Sequence, residues 1–134
     1  MKTTIDRVSD SVAVLAMDGE LDASNYQALI DTGQSLYGEG VRTLVLDLSD
    51  LKYMSSSGLV AVHSLALVYR GEAPPDPEAG WQAFHAVQAD ADSGVRHESL
   101  RLAAPSDDIG TMLDRTGINR FLPVFADRDS ALAG

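Results

Sequence analysis

Three consecutive serines, Ser55, Ser56 and Ser57, stand before Gly58 where a charged segment gives way to the almost wholly apolar run 59–69. Residues 45–48 read as a buried strand, 49–54 as a short loop and 57–70 as a helix. The hydroxyls therefore lie where a helix begins. Backbone N–H groups there lack intrahelical partners, and the helix dipole places partial positive charge at that end. A serine hydroxyl can cap such a terminus. A phosphate on the same hydroxyl would also be stabilised there. A site that holds both states is a candidate switch, with Ser56 the first acceptor to consider and Ser57 and Ser55 the alternatives.

Nucleophilic catalysis by these serines would need an adjacent base and a third group to orient it. His63 comes seven residues after Ser56, two helical turns down the axis, and His85 and His97 fall in a distant segment. There is no G-x-S-x-G elbow and no glycine-rich phosphate loop. Three scattered histidines and the absence of Cys make no metal site. A serine hydrolase is thus a remote reading, and neither an enzyme nor a cofactor is expected. His63 reads as a residue at the edge of the core.

The 134 residues suit a single domain over 1–134. Twenty acidic and ten basic residues give a formal charge of −10. That balance disfavours nucleic acid and anionic membrane surfaces, which are bound through Lys and Arg. It favours a partner with a basic face. The run 59–69 is too short for a membrane span and is interrupted by His63 and Ser64. No leader of basic, apolar and small residues opens the chain, and the lack of Cys is compatible with a reducing compartment. A cytoplasmic protein without direct membrane insertion is expected.

Strands and helices alternate. Residues 3–8 predict an edge strand and 12–17, apolar on both alternating faces, a central one. A helix is expected to start within 22–25, with Ser24 and Gln27 as a capping box, and to stop at Gly38 and Gly40. Residues 41–48 predict the next strand, 57–70 a helix and 100–104 another strand. Ser106 opens a helix with Ile109, Met112 and Leu113 as its apolar stripe and Gly117 as its stop. Residues 121–125 predict a last edge strand, because Pro123 would spoil a central one, and 127–133 a terminal helical turn.

Residues 71–98 break this rhythm, since such connections usually span roughly 2–6 residues. The segment carries six acids against one base, half of the chain's net charge. Asp76 and Pro77 form a helix start. A surface helix over 77–89, docked through Trp81 and Phe84, is the expectation, with a partner-recognition element as the sharper alternative.

The chain resembles the bacterial anti-sigma-factor antagonists of the STAS domain family. The resemblance rests on Gly19-Glu20-Leu21-Asp22, on Leu44-Val45-Leu46-Asp47-Leu48 followed by Met54-Ser55-Ser56-Ser57-Gly58-Leu59, and on Ala104-Pro105-Ser106 and Thr116-Gly117-Ile118. It covers about 3–70 and 99–133, leaving 71–98 as an insertion. The implied fold is α/β, a small mixed sheet with helices packed mainly on one face. The implied function is a phospho-switched binding module. Unmodified, it sequesters an anti-sigma factor; that partner is also a serine kinase, and a phosphatase resets the switch. The implied acceptor is Ser56, and the implied partner surface takes in Gly19, Glu20, Leu21, Asp22 and Ser24 with Ser55, Ser56, Ser57 and Gly58. One departure is plain: Ser55 stands where the family pattern has Asp, which removes a charge beside the acceptor. That change leaves room for an unswitched STAS scaffold in a stress-signalling or membrane-transport assembly.

Overall fold

The computed structural model describes residues 2–71, 98–120 and 122–133. Within them a five-stranded sheet runs in the order β1-β2-β3-β4-β5. The strands are β1 (Lys2–Arg7), β2 (Val12–Leu21), β3 (Thr43–Met54), β4 (Leu100–Ala103) and β5 (Val124–Phe125). β1 pairs antiparallel with β2, and every later pairing is parallel, so the sheet is mixed. Parallel neighbours need crossovers. These are supplied by α1 (Tyr26–Gly38) between β2 and β3 and by α3 (Asp107–Thr116) between β4 and β5. α2 (Ser56–Tyr69) follows β3, and α4 (Arg128–Ala133) ends the described chain.

Side-chain alternation sorts the helices. Leu15, Met17, Leu44, Leu46, Leu48, Leu100 and Leu102 face one side, where they share a core with α1, α2 and α3. The other side holds Val14, Val45 and Ala103, covered by Ala131 and Leu132 of α4 and by Phe125. Helices therefore pack mainly on one face, as expected. α2 is buried over nearly its whole circumference, and His63, at 1% exposure, lies inside the core and not at its edge. α1 meets α2 closely. A Cβ at Gly33 would collide with the side chain of buried Leu65, and Tyr69 donates its hydroxyl to the Gly33 carbonyl at 2.9 Å.

The back face carries one charged clasp. Buried Asp47 accepts from Arg128 Nη2 at 2.9 Å and Nε at 3.1 Å, while Arg128 Nη1 reaches Asp6 at 3.4 Å. The Arg101 guanidinium donates to the Ala131 carbonyl at 2.8 Å, satisfying an orphan acceptor at the end of α4.

Two strands run longer than predicted. β2 continues to Leu21 and β3 to Met54, so the expected loop 49–54 is strand. Beyond Leu48 the buried residues of β3 fall at Leu51 and Met54, a spacing of three that hides the alternation of a strand. The cause is a pair of bulges in the ladder, between Ala16 and Asp18 and between Gly19 and Glu20. Gly19 takes φ 114, a conformation open to glycine at little cost. The expected helix at 77–89 with its anchors Trp81 and Phe84 lies outside the described residues, as do His85, His97 and Phe121.

Candidate functional site

The extended ladder is what builds the site. Past the bulges, Gly19 pairs with Leu51, Glu20 with Tyr53 and Leu21 with Met54. The Ser55 N–H then donates to the Leu21 carbonyl at 2.9 Å. The loop after β2 and the start of α2 are thus stitched together by backbone, at the same end of the sheet.

Asp22 organises the first of these segments. One of its carboxylate oxygens accepts from the Ser24 hydroxyl at 2.5 Å and from the Ser24 N–H at 2.9 Å. These bonds favour the ionised form and hold the carboxyl below its usual range, the hydroxyl contributing most. The Asp22 carbonyl accepts from the N–H groups of Asn25 and Tyr26. Asn25 spends its side chain looking backwards, accepting from the Asp22 N–H at 2.9 Å and donating to the Glu20 carbonyl at 2.8 Å. The predicted capping box is therefore not formed. Asn25 is the N-cap residue of α1 and makes no side-chain cap, Ser24 is tied to Asp22, and Gln27 donates to Asp31.

The serine triplet divides its roles differently from a simple capping reading of Ser56. Ser55 is the N-cap of α2, its backbone extended and its hydroxyl accepting from the Gly58 N–H at 3.4 Å. Ser56 is the first helical residue and is exposed, while Ser55 and Ser57 are half-buried. Of the three hydroxyls, that of Ser56 is therefore the one most open to an incoming partner. Gly58 is buried, and a Cβ there would stand 2.6 Å from Met54 Cγ and 3.0 Å from Leu21 Cγ. The glycine is what lets the first turn of α2 lie down on the ends of β2 and β3.

Features legible only in three dimensions surround the triplet. A groove of about 470 Å³ runs between α2 and α3, lined by Ser56 and Leu59 on one side and Asp108, Met112 and Arg115 on the other. A smaller hollow of about 170 Å³ adjoins it, where Lys52, Tyr53 and Met54 meet Asp108 and Met112. Tyr53 is 52% exposed and stands beside Glu20 in the ladder. Exposed Asp18 and Asp50 are paired in register, so with Glu20 and Asp22 this end of the sheet carries an acidic lip. Sequence reasoning does not find Tyr53, because 49–54 reads as loop, and it predicts α3 without its place beside the serines, because the contact with α2 is tertiary. Among the described residues no group of three His, Cys, Asp or Glu side chains converges as metal ligands would. No helix among them is long and apolar enough to cross a membrane.

Comparison with known proteins agrees with this geometry. The family model described as "Mlab, STAS domain" matches residues 6–73. No curated protein matches the sequence. Among solved structures, an anti-sigma factor antagonist from Mycobacterium paratuberculosis is similar at 18% identity and a TM-score of 0.67, over 98% of this chain and 91% of that one. The unphosphorylated anti-sigma factor antagonist SpoIIAA is similar at 17% identity and a TM-score of 0.63, over 98% and 93%. The phosphorylated form of the Bacillus cell fate determinant SpoIIAA is similar at 18% identity and 0.56, over 98% and 97%. At these identities the likeness is one of fold.

Proposed function

The chain belongs to the STAS domain family, and from that premise we propose that it is an anti-sigma-factor antagonist switched by phosphorylation of Ser56. Unmodified, it binds an anti-sigma factor through one patch, the loop 19–25 together with the first turn of α2. The observation that carries this reading is the exposed Ser56 hydroxyl at the first position of α2, joined through the Ser55–Leu21 backbone bond to the loop that holds Asp22. In the modifying step the Ser56 oxygen attacks the γ-phosphorus of ATP. The phosphorus–oxygen bond to ADP breaks, and the hydroxyl proton passes to a base on the kinase, which is the anti-sigma factor itself. The added charge of about −1.5 to −2 then sits in the contact, where stripping it of water is costly, and the partner lets go. A separate phosphatase restores the hydroxyl.

The acidic lip fits a basic partner face, and association should slow as salt rises. The test is incubation with ATP and candidate kinases from the source organism, followed by intact mass and site mapping. One phosphate on Ser56, lost in Ser56→Ala, is the expected result. Phosphate on Ser57, or none with an active cognate kinase, overturns the assignment. In calorimetry, Ser56→Asp and Asp22→Ala should both bind the partner more weakly than the unaltered chain; equal affinities would move the interface elsewhere. Ser55 in place of the family's acidic residue favours a second reading, an unswitched STAS scaffold, and the same mapping decides between the two.

A further inference from the structure

We propose that Arg115 of α3 is the intramolecular partner of the phosphate on Ser56, holding it across the groove between α2 and α3. The inference rests on the reading of Ser56 as the acceptor and adds what receives its charge.

Ser56 and Arg115 line the same groove of about 470 Å³. Ser56 is exposed at the first position of the fourteen-residue helix α2, and Arg115 is exposed in the last turn of α3. Among the described residues the Arg115 guanidinium makes no hydrogen bond or ion pair. Three arginines elsewhere in the fold are engaged: Arg7 is paired with Glu39, Arg101 caps α4, and Arg128 is held between Asp6 and Asp47. A guanidinium presents a planar fork of donors that matches phosphate oxygens two at a time. The bland role for Arg115 is to complement the C-terminal end of the α3 dipole, and that role would not couple it to the state of Ser56.

The charges in the groove also have a definite balance. Before modification it holds, among the described residues, one carboxylate, Asp108, and one guanidinium, Arg115. Asp108 sits in the first turn of α3, where its charge complements the dipole, and also borders the hollow that Lys52 enters. A phosphate dianion on a chain of net charge −10 is repelled from most directions. Among the described residues Arg115 is the cation that lines the groove, and the start of α2 adds partial positive charge beside the attachment point.

The experiment installs phosphoserine at position 56 of the full chain by genetic encoding, so that no kinase is required, and follows the phosphate by phosphorus NMR through a pH titration. The second pKa of the phosphate should lie below the ordinary value of about 6. Arg115→Gln should raise it by about 0.5–1 unit, Arg115→Lys should recover part of the shift, and Asp108→Asn should lower it further. Installing the phosphate should also raise the thermal transition of the unaltered chain relative to its unphosphorylated form, and Arg115→Gln should remove that gain. The unphosphorylated chain and Arg115→Gln should melt together, because the side chain is exposed and unbonded. A titration that is the same in the unaltered chain and Arg115→Gln overturns the proposal. That outcome is distinct from failure of the functional reading, which would show as no kinase-transferred phosphate on Ser56 of the unmodified chain.

Discussion

The Ser55 N–H donates to the Leu21 carbonyl at 2.9 Å, across a gap of thirty-four positions in the chain. The bond continues the β2–β3 ladder one step past its last pair and delivers the chain directly into α2. An error in strand length of one residue would rotate the serines away from the 19–25 loop. The site thus depends on two bulges and one glycine that keep ladder and helix in contact.

Gly58 should tolerate no side chain. A methyl group there meets Met54 and Leu21, both buried and unable to withdraw without disturbing the core. Gly58→Ala is expected to cost about 1–3 kcal/mol, read as a lower urea midpoint with an unchanged denaturant slope. Gly33→Ala, against buried Leu65, should behave alike. An unchanged midpoint for both would mean that α2 can shift freely over the sheet.

Helix capping should follow Ser55 and not Ser56. Ser55→Ala removes the side-chain acceptor for the Gly58 N–H and is expected to cost about 1 kcal/mol. Ser56→Ala, at an exposed position with no cap bond, should stay within about 0.5 kcal/mol. Ser55→Asp keeps an N-cap acceptor and adds a charge favourable at a helix start, so it should match or exceed the unaltered stability. Thermal melts of the three variants check the order.

Acid should loosen the back face through Asp47. Burial pushes its carboxyl up, but the Ser49 N–H at 3.0 Å and the Arg128 guanidinium outweigh burial, and the net shift is downward. A carboxyl whose pKa is lowered on folding contributes stability above its unfolded value and loses it as pH falls through the folded value. Stability should therefore fall from about pH 5 towards pH 3, with the lowered carboxyls of Asp22 and Asp127 acting in the same sense. Asp47→Asn should cost about 2 kcal/mol near neutrality and show a shallower loss over that interval. Parallel pH profiles for the two proteins would exclude Asp47 as the titrating group.

Ala104 is the one non-glycine among the described residues with positive φ, at 54. It turns the chain from β4 into Pro105 while its N–H donates to the Phe125 carbonyl at 2.9 Å. A left-handed conformation costs an L-residue roughly 1–2 kcal/mol, partly offset in Ala104→Gly by the greater freedom of the unfolded chain. That substitution should stabilise by about 0.5–1 kcal/mol. A lower melting temperature would show that the Ala104 methyl group contributes packing that outweighs the strain.

Much of this architecture is legible in the residues. The double-faced apolar runs beginning at Val12 and Leu44 announce central strands, and Ser106 and Gly117 bound α3 as N-cap and left-handed C-cap, as their types predict. The motif segments at 19–22 and 54–58 are brought side by side by the β2–β3 ladder. What stayed hidden has common physical causes. Bulges broke the period of two at Leu51 and Met54, so strand looked like loop. Side chains with several possible partners chose distant or unexpected ones: Asn25 bonds Glu20 and Asp22 instead of capping α1, and Arg128 reaches across 81 residues to Asp47. The groove beside Ser56 is a product of how α3 lies against α2, which no local pattern encodes.

The two faces of the sheet also imply two different tempos of motion. The site face rests on a continuous core spanning three helices, whereas the back face is closed by the six residues of α4, the two of β5 and a small apolar cluster held by the Arg128 clasp. Local opening free energies follow the amount of buried apolar contact. Amide protons of α4 should accordingly exchange with solvent through brief partial detachments, long before those of β2, β3 or α2. The molecule can bare and re-cover the back of its sheet many times over while the serine triplet and the 19–25 loop keep their relation unbroken.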